Sequence, residues 1–192
     1  NFATSKVTGN MTLYALWKEL LTVTYDTQNG EEPTSVAIRY NTKLTAPATP
    51  TRQGYAFGGW YAGVNDGTQW NFASNNVTEN ITLYARWLNE NEYTSLRTFL
   101  NLSSTTSGKT NGKMLNASYD QNNPATWTGI AWGNGYVKSI NIPSKTLNGN
   151  LDLSGFTHLT YLNISSNSID SLNVTGDSAL AELYCSSNII NS

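Results

Sequence analysis

Apolar and polar residues alternate along Leu21-Thr22-Val23-Thr24-Tyr25-Asp26, and a period of two predicts a strand with one face buried. The alternation returns at residues 35–40, 55–61 and 81–87. In the last of these Ile81, Leu83, Ala85 and Trp87 share one face, and Thr82, Tyr84 and Arg86 share the other. Asn29-Gly30 marks a turn between the first two strands, and Pro47, Pro50 and Gly54 punctuate an extended connection into the third. The period then changes. Tyr93, Leu96, Phe99 and Leu100 fall on one helical stripe, with Glu90 and Glu92 at the positive end of the helix dipole. Residues 103–126, rich in Ser, Thr, Asn and Gly, predict a long surface loop, which needs an anchor; the run from Trp127 to Trp132 supplies one.

Two internal repeats organise these elements. Residues 1–17 (NFATSKVTGNMTLYALW) and 71–87 (NFASNNVTENITLYARW) are identical at eleven of seventeen positions, at an offset of 71 − 1 = 70. Residues 1–17 therefore read as the tail of one unit and 18–87 as a complete second unit, with a further copy expected upstream. Beyond residue 137 the period shortens. Leu159, Leu162, Ile164, Asn167 and Ile169 align with Leu180, Leu183, Cys185, Asn188 and Ile190 at an offset of 21. Val137, Ile140, Ile142 and Leu147 fit the same frame at an offset of 22, with Lys145 in the Asn slot. In such a frame each unit buries its leucines only against its neighbours. Asn167 and Asn188 stand where the chain leaves the strand, and their amides are expected to bond the backbone of adjacent turns. Cys185, in the slot of Ile164, is expected to be a buried small apolar group rather than a nucleophile.

The string PTRQGYAFGGWY (Pro50 to Tyr61), the Trp70-x-Phe72 pair and the closing ITLYARW resemble the internalin B-repeat, also called the Listeria–Bacteroides repeat. The resemblance implies a small β-grasp-like (α+β) module, strung in tandem on bacterial surface proteins as spacer or adhesive element, without catalysis. Tyr55, Phe57, Trp60, Trp70, Phe72 and Trp87 are readable either as a sugar-stacking platform or as the core of a small module. The core reading is preferred, because a module of this size needs large side chains to fill it. The shorter period is LxxLxLxxNxL, that of a leucine-rich repeat. The run from the helix at 93–100 through WTGIAW, GYVKSI, LNGNLDLSG and the Leu159 unit resembles an N-terminal cap leading into the first such repeats, similar to that of plant-type receptors but without the paired cysteines, which leaves Trp127 and Trp132 to hold the cap by packing. The expected fold is thus a β-rich multidomain chain: a remnant at 1–17, a B-repeat at 18–87, a linker and cap at 88–136 with the boundary at 88–92, and a leucine-rich-repeat solenoid at 137–192.

Composition narrows the chemistry. Lys and Arg number 11 and Asp and Glu 13, for a net charge of −2, so no basic field is present to hold nucleic acid. Asn, Thr and Ser contribute 25, 25 and 19 residues, which suits a hydrogen-bonding β surface. No apolar stretch reaches the ~18 residues of a membrane span. One His and one Cys exclude disulfide frameworks and Cys/His metal sites within the chain, and phosphate-loop, HExxH and GxSxG motifs are missing. His158 is expected on a connecting segment. Asp152, Asp170 and Asp177 are expected on connections rather than in a cleft, so no enzyme, cofactor or metal is expected.

What remains is surface. The positions flanking the buried leucines are Ser139, Asn141 and Pro143, then Tyr161, Asn163 and Ser165, then Glu182, Tyr184 and Ser186, and they define a candidate binding face. Tyr161 and Tyr184 are expected to stack at equivalent positions; shielding of the strand edges is the preferred reading, and anchoring a host or neighbouring-cell protein or glycan the alternative. Tyr84 and Arg86 form a competing patch on the B-repeat. The expected function is adhesion or binding by an extracellular, cell-surface or secreted bacterial protein. Its rivals are a purely structural stalk and an accessory module of a large exported carbohydrate-active enzyme. The oligomeric state is not legible in the sequence.

Overall fold

A computed structural model of the chain describes residues 8–10, 12, 14, 19–64 and 67–191. The remnant unit expected at 1–17 lies largely outside the described residues. Strand β1 (Leu21–Asp26) turns through Gly30, at φ +96°, into an antiparallel partner, β2 (Thr34–Ile38). Two short strands, β3 (Thr42–Lys43) and β5 (Asn76–Val77), pair with each other beside the main sheet. That sheet is completed by β4 (Tyr55–Tyr61) and β6 (Ile81–Asn89) in the order β2-β1-β6-β4, with β1 and β6 parallel. Among the described residues of the module, the helical part of the expected α+β fold is not found. Residues 44–51 cross without regular structure, as Pro47 and Pro50 dictate by fixing φ and withholding an N–H. The alternation expected at 35–40 to half-bury a strand instead yields an exposed edge, with Val36 44 % exposed.

The core of this module gathers Val23, Tyr25, Leu44, Trp60, Val77, Leu83, Ala85 and Trp87. A regular strand would send Phe57 and Trp60 to opposite faces, because they are three residues apart. They pack together all the same, with ring centroids 5.7 Å apart. The cause is a bulge: Phe57 stands opposite Trp87 and Trp60 opposite Ala85, so three steps on β4 answer two on β6. Gly59 absorbs the bulge at φ +111°.

The opposite face of the same two strands serves a second core. Ala56 and its register partner Leu88 pack with the residues that follow. Strand β6 ends at Asn89, whose side chain accepts from the N–H groups of Asn91 and Glu92 and so caps helix α1 (Glu90–Asn101). No linker residue intervenes between strand and helix. Asn89 N–H donates to Gly135 O at 2.7 Å, and Glu90 N–H to Gly54 O at 3.3 Å, which ties the joint to both sides. Trp60 and Leu162 nonetheless belong to separate cores.

Helix α1 buries the stripe read from the sequence: Tyr93, Leu96, Phe99 and Leu100 are all inside. The expected long loop is more ordered than its composition suggests. It holds α2 (Asn111–Leu115) and a 3₁₀ turn at Pro124–Thr126. Asn111, fully buried, explains the difference. Its amide donates to Phe99 O and Asn148 O, both at 2.9 Å, and its oxygen accepts from Asn148 N–H, fastening the loop to α1 and to the next sheet. Trp127 is the anchor that the sequence suggested. It stacks on Tyr93 at 5.2 Å, and its Nε1–H donates to Asp120 O at 2.9 Å.

A hairpin of β7 (Ile130–Gly133) and β8 (Tyr136–Asn141) follows. Next come β9 (Asn148–Asp152), β10 (Tyr161–Asn163), β11 (Ser168–Asn173) and β12 (Glu182–Tyr184). Strands β8, β10 and β12 form a parallel ladder, with Ile140, Leu162 and Leu183 aligned, and β9 pairs parallel with β11. The 22- and 21-residue steps reappear in the backbone, because Ser144, Ser166 and Ser187 all turn through positive φ (55°, 57° and 54°). After each of the latter two, an asparagine ties adjacent turns together. Asn167 donates to Ile142 O and Ile164 O and accepts from the N–H groups of Lys145 and Leu147. Asn188 donates to Ile164 O and Cys185 O and accepts from Ile169 N–H. Cys185 itself is half-buried rather than enclosed, and Leu183 is 44 % exposed.

Candidate binding surface

The ladder of β8, β10 and β12 fixes where the candidate residues stand. Ser139, Tyr161 and Glu182 form one row, and Asn141, Asn163 and Tyr184 the next. The tyrosines therefore do not occupy equivalent positions: Tyr161 faces Glu182, and Tyr184 faces Asn163. They meet on the diagonal, with ring centroids 5.7 Å apart and planes tilted by 44°. Tyr184 is 49 % exposed, Tyr161 half-buried.

Hydrogen bonds divide the remaining residues. Asn163 accepts from Ser165 through its N–H at 3.1 Å and its hydroxyl at 2.7 Å, so both side chains hold the turn after β10. Asn163 also reaches the Tyr161 hydroxyl at 3.4 Å. On β12 the Tyr184 hydroxyl donates to a Glu182 carboxylate oxygen at 3.1 Å, and this bond, with the carboxylate's charge, pushes the phenol up. Asn141 and Ser186 are exposed, and Ser139 is half-buried. The ladder thus brings six of the eight residues, all but Ser165 and Ser186, into two adjacent rows, where a tyrosine pair and the Glu182 carboxylate are the most prominent groups. The rival patch is more committed: the Arg86 guanidinium lies 3.7 Å over the Tyr61 ring and donates to Gly67 O.

One buried and one half-buried carboxyl were not legible as special in the sequence. Glu92, 2 % exposed, accepts from Val137 N–H at 2.6 Å and so pins the first turn of α1 to β8; burial pushes its carboxyl up. Asp177 accepts from Phe156 N–H at 2.8 Å, while its other oxygen is buried without a partner among the described residues; burial pushes it up as well. His158 stacks on Tyr136 with ring centroids 4.1 Å apart. Among the described residues no three His, Cys, Asp or Glu side chains are grouped to hold a metal, and no helix is long and apolar enough to cross a membrane.

Comparison with known proteins places one part of the chain. Residues 22–86 match the Listeria-Bacteroides repeat domain family, so the chain carries that domain, which is found in surface proteins such as internalins. Internalin H of Listeria monocytogenes is 38 % identical over 90 residues, covering 45 % of this chain and 16 % of that protein. A protein of Evansella cellulosilytica described as a Gly-rich membrane protein is 36 % identical over 88 residues, covering 45 % of this chain and 10 % of its own length. A second membrane protein of the same bacterium, so described, is 35 % identical over 95 residues, or 49 % of this chain and 14 % of that protein. The chain matches between a tenth and a sixth of the length of these relatives.

Proposed function

We propose that the chain is a non-catalytic recognition segment of an exported bacterial surface protein. In this reading the Listeria-Bacteroides repeat is a rigid support, and residues 88–191 are a cap followed by leucine-rich repeats. The observation that carries it is the parallel ladder at 22- and 21-residue steps, which leaves Tyr161, Tyr184 and Glu182 outside every core contact. Tyrosine offers large contact area at low entropy cost, and an aromatic pair beside a carboxylate suits a protein or glycan partner on a host or neighbouring cell. The name Internalin H and the membrane-protein relatives support an extracellular setting.

The test is a binding measurement with the whole 192-residue chain against a panel of host-cell surface proteins and glycans. The double variant Tyr161→Ala/Tyr184→Ala should weaken binding by more than about 1 kcal/mol with little change in Tm. Undiminished binding in that variant would remove the face from consideration. A structural stalk is the second reading, favoured by the uninterrupted passage of β6 into α1; it predicts no specific partner at all.

A further inference from the structure

We infer that the cleft between the repeat module and the cap is a second binding site, for a neutral saccharide, independent of the tyrosine face. The cleft encloses about 550 Å³, within the range of small-molecule sites. One wall is aromatic. Phe57, Trp70 and Phe72 are half-buried there, packed against the module's core yet partly open to the cleft, with the buried Trp60 behind them, whereas Trp87 does not line it. The other wall comes from the loop anchored by Trp127, through Asp120, Asn122 and Asn123.

The polar groups are held in place before any ligand arrives. Asn71 Oδ1 accepts from the N–H groups of Ala73 and Ser74, leaving its amide NH₂ without a protein partner among the described residues. Asn123 Oδ1 accepts from Ala125 N–H and from Gln69 Nε2, the latter at 3.1 Å across the cleft, and its NH₂ is likewise open. Asp120 uses one oxygen on Asn122 N–H and presents the other. Side chains ordered in advance give affinity that flexible ones lose to entropy.

The chemistry of the lining selects the ligand. Asp120 is the one ionisable group among the described residues that line the cleft; Lys43 adjoins it only through its hydrogen bond to the Ala73 carbonyl, so an anionic ligand finds no cationic side chain in the lining. Amide donors and acceptors opposite aromatic rings match a molecule that is flat and apolar on one side and ringed with hydroxyls. A β-1,4-linked gluco-oligosaccharide, with its equatorial hydroxyls, has that shape.

Tryptophan fluorescence and calorimetry on the whole chain test this with three probes: cellotetraose, tri-N-acetylchitotriose and, as the anionic comparison, trigalacturonate. At least one neutral probe should saturate below about 10 mM. Asn122→Ala, at an exposed residue, should weaken it about fivefold, and Phe72→Ala about tenfold, with circular dichroism checking that each variant folds. Tyr161→Ala/Tyr184→Ala should leave it unchanged, which separates failure here from failure of the proposed tyrosine face. No saturable binding to either neutral probe, preference for trigalacturonate, or indifference to Asn122→Ala would each overturn the inference. Loss of binding in the tyrosine double variant alone would do the same.

Discussion

Asn167 and Asn163 lie four residues apart, and their contrast shows what a residue's position decides. Asn167 is buried and satisfies backbone groups on two turns of chain; its truncation orphans several of them at once. Asn167→Ala should cost about 2–4 kcal/mol in chemical denaturation. Asn163 is half-buried and bonds only its own turn, so Asn163→Ala should cost about 1 kcal/mol or less. Leu162→Ala, just before Asn163, should cost about 2–5 kcal/mol as a fully enclosed leucine. Glu92 adds a pH dependence. Its folded carboxyl titrates above the unfolded one, so its contribution is full below the ordinary glutamate range and declines as pH rises through the folded value. Glu92→Gln keeps an acceptor for Val137 N–H and removes the titration. The variant should therefore gain stability on wild type as pH rises above the ordinary glutamate range. An equal pH slope in the two proteins would show that Glu92 is not its source.

At the scale of the element, the sequence was most readable where a single period ran unbroken. Residues 21–26, the helical stripe of Tyr93, Leu96, Phe99 and Leu100, and the shared face of Leu83, Ala85 and Trp87 all appear as their spacing predicts. Legibility failed where a local feature interrupts the period. The bulge in β4 turns an odd spacing into a shared face, and nothing in Phe57-Gly58-Gly59-Trp60 announces which way the rings will go. The order within the loop at 103–126 is not legible, because it depends on Asn111, one buried polar residue among many exposed ones. The candidate face was legible residue by residue, but the tyrosine pairing was not: a spacing of 23 residues exceeds the 21-residue step by two, which moves one ring a row along. Gly59→Ala tests the bulge directly. A Cβ there would sit 2.5 Å from Gln69 Nε2 on a backbone at φ +111°, so a loss of about 2 kcal/mol is expected in thermal unfolding.

For the molecule as a whole, the decisive feature is that β4 and β6 carry a core on each face. Leu88→Ala should therefore cost about 2–4 kcal/mol and also raise hydrogen exchange at Asn89 N–H, bonded to Gly135 O, without unpacking Trp60. Protease should cut poorly at 88–92, where the backbone is committed to strand or helix. The parallel pairing of β1 with β6 has a mechanical consequence. A chain tethered at one end and pulled at the other enters this module at the start of β1 and leaves it at the end of β6. Those strands run side by side in the same direction from Val23↔Ile81 to Asp26↔Tyr84, so the load falls on their hydrogen bonds along the strand axis and on all of them together. They must break in shear rather than peel one at a time. The same load then passes straight into α1, with no slack residue to stretch first, so under tension the module and the face beyond it should hold their relative orientation until the β1–β6 clamp gives way.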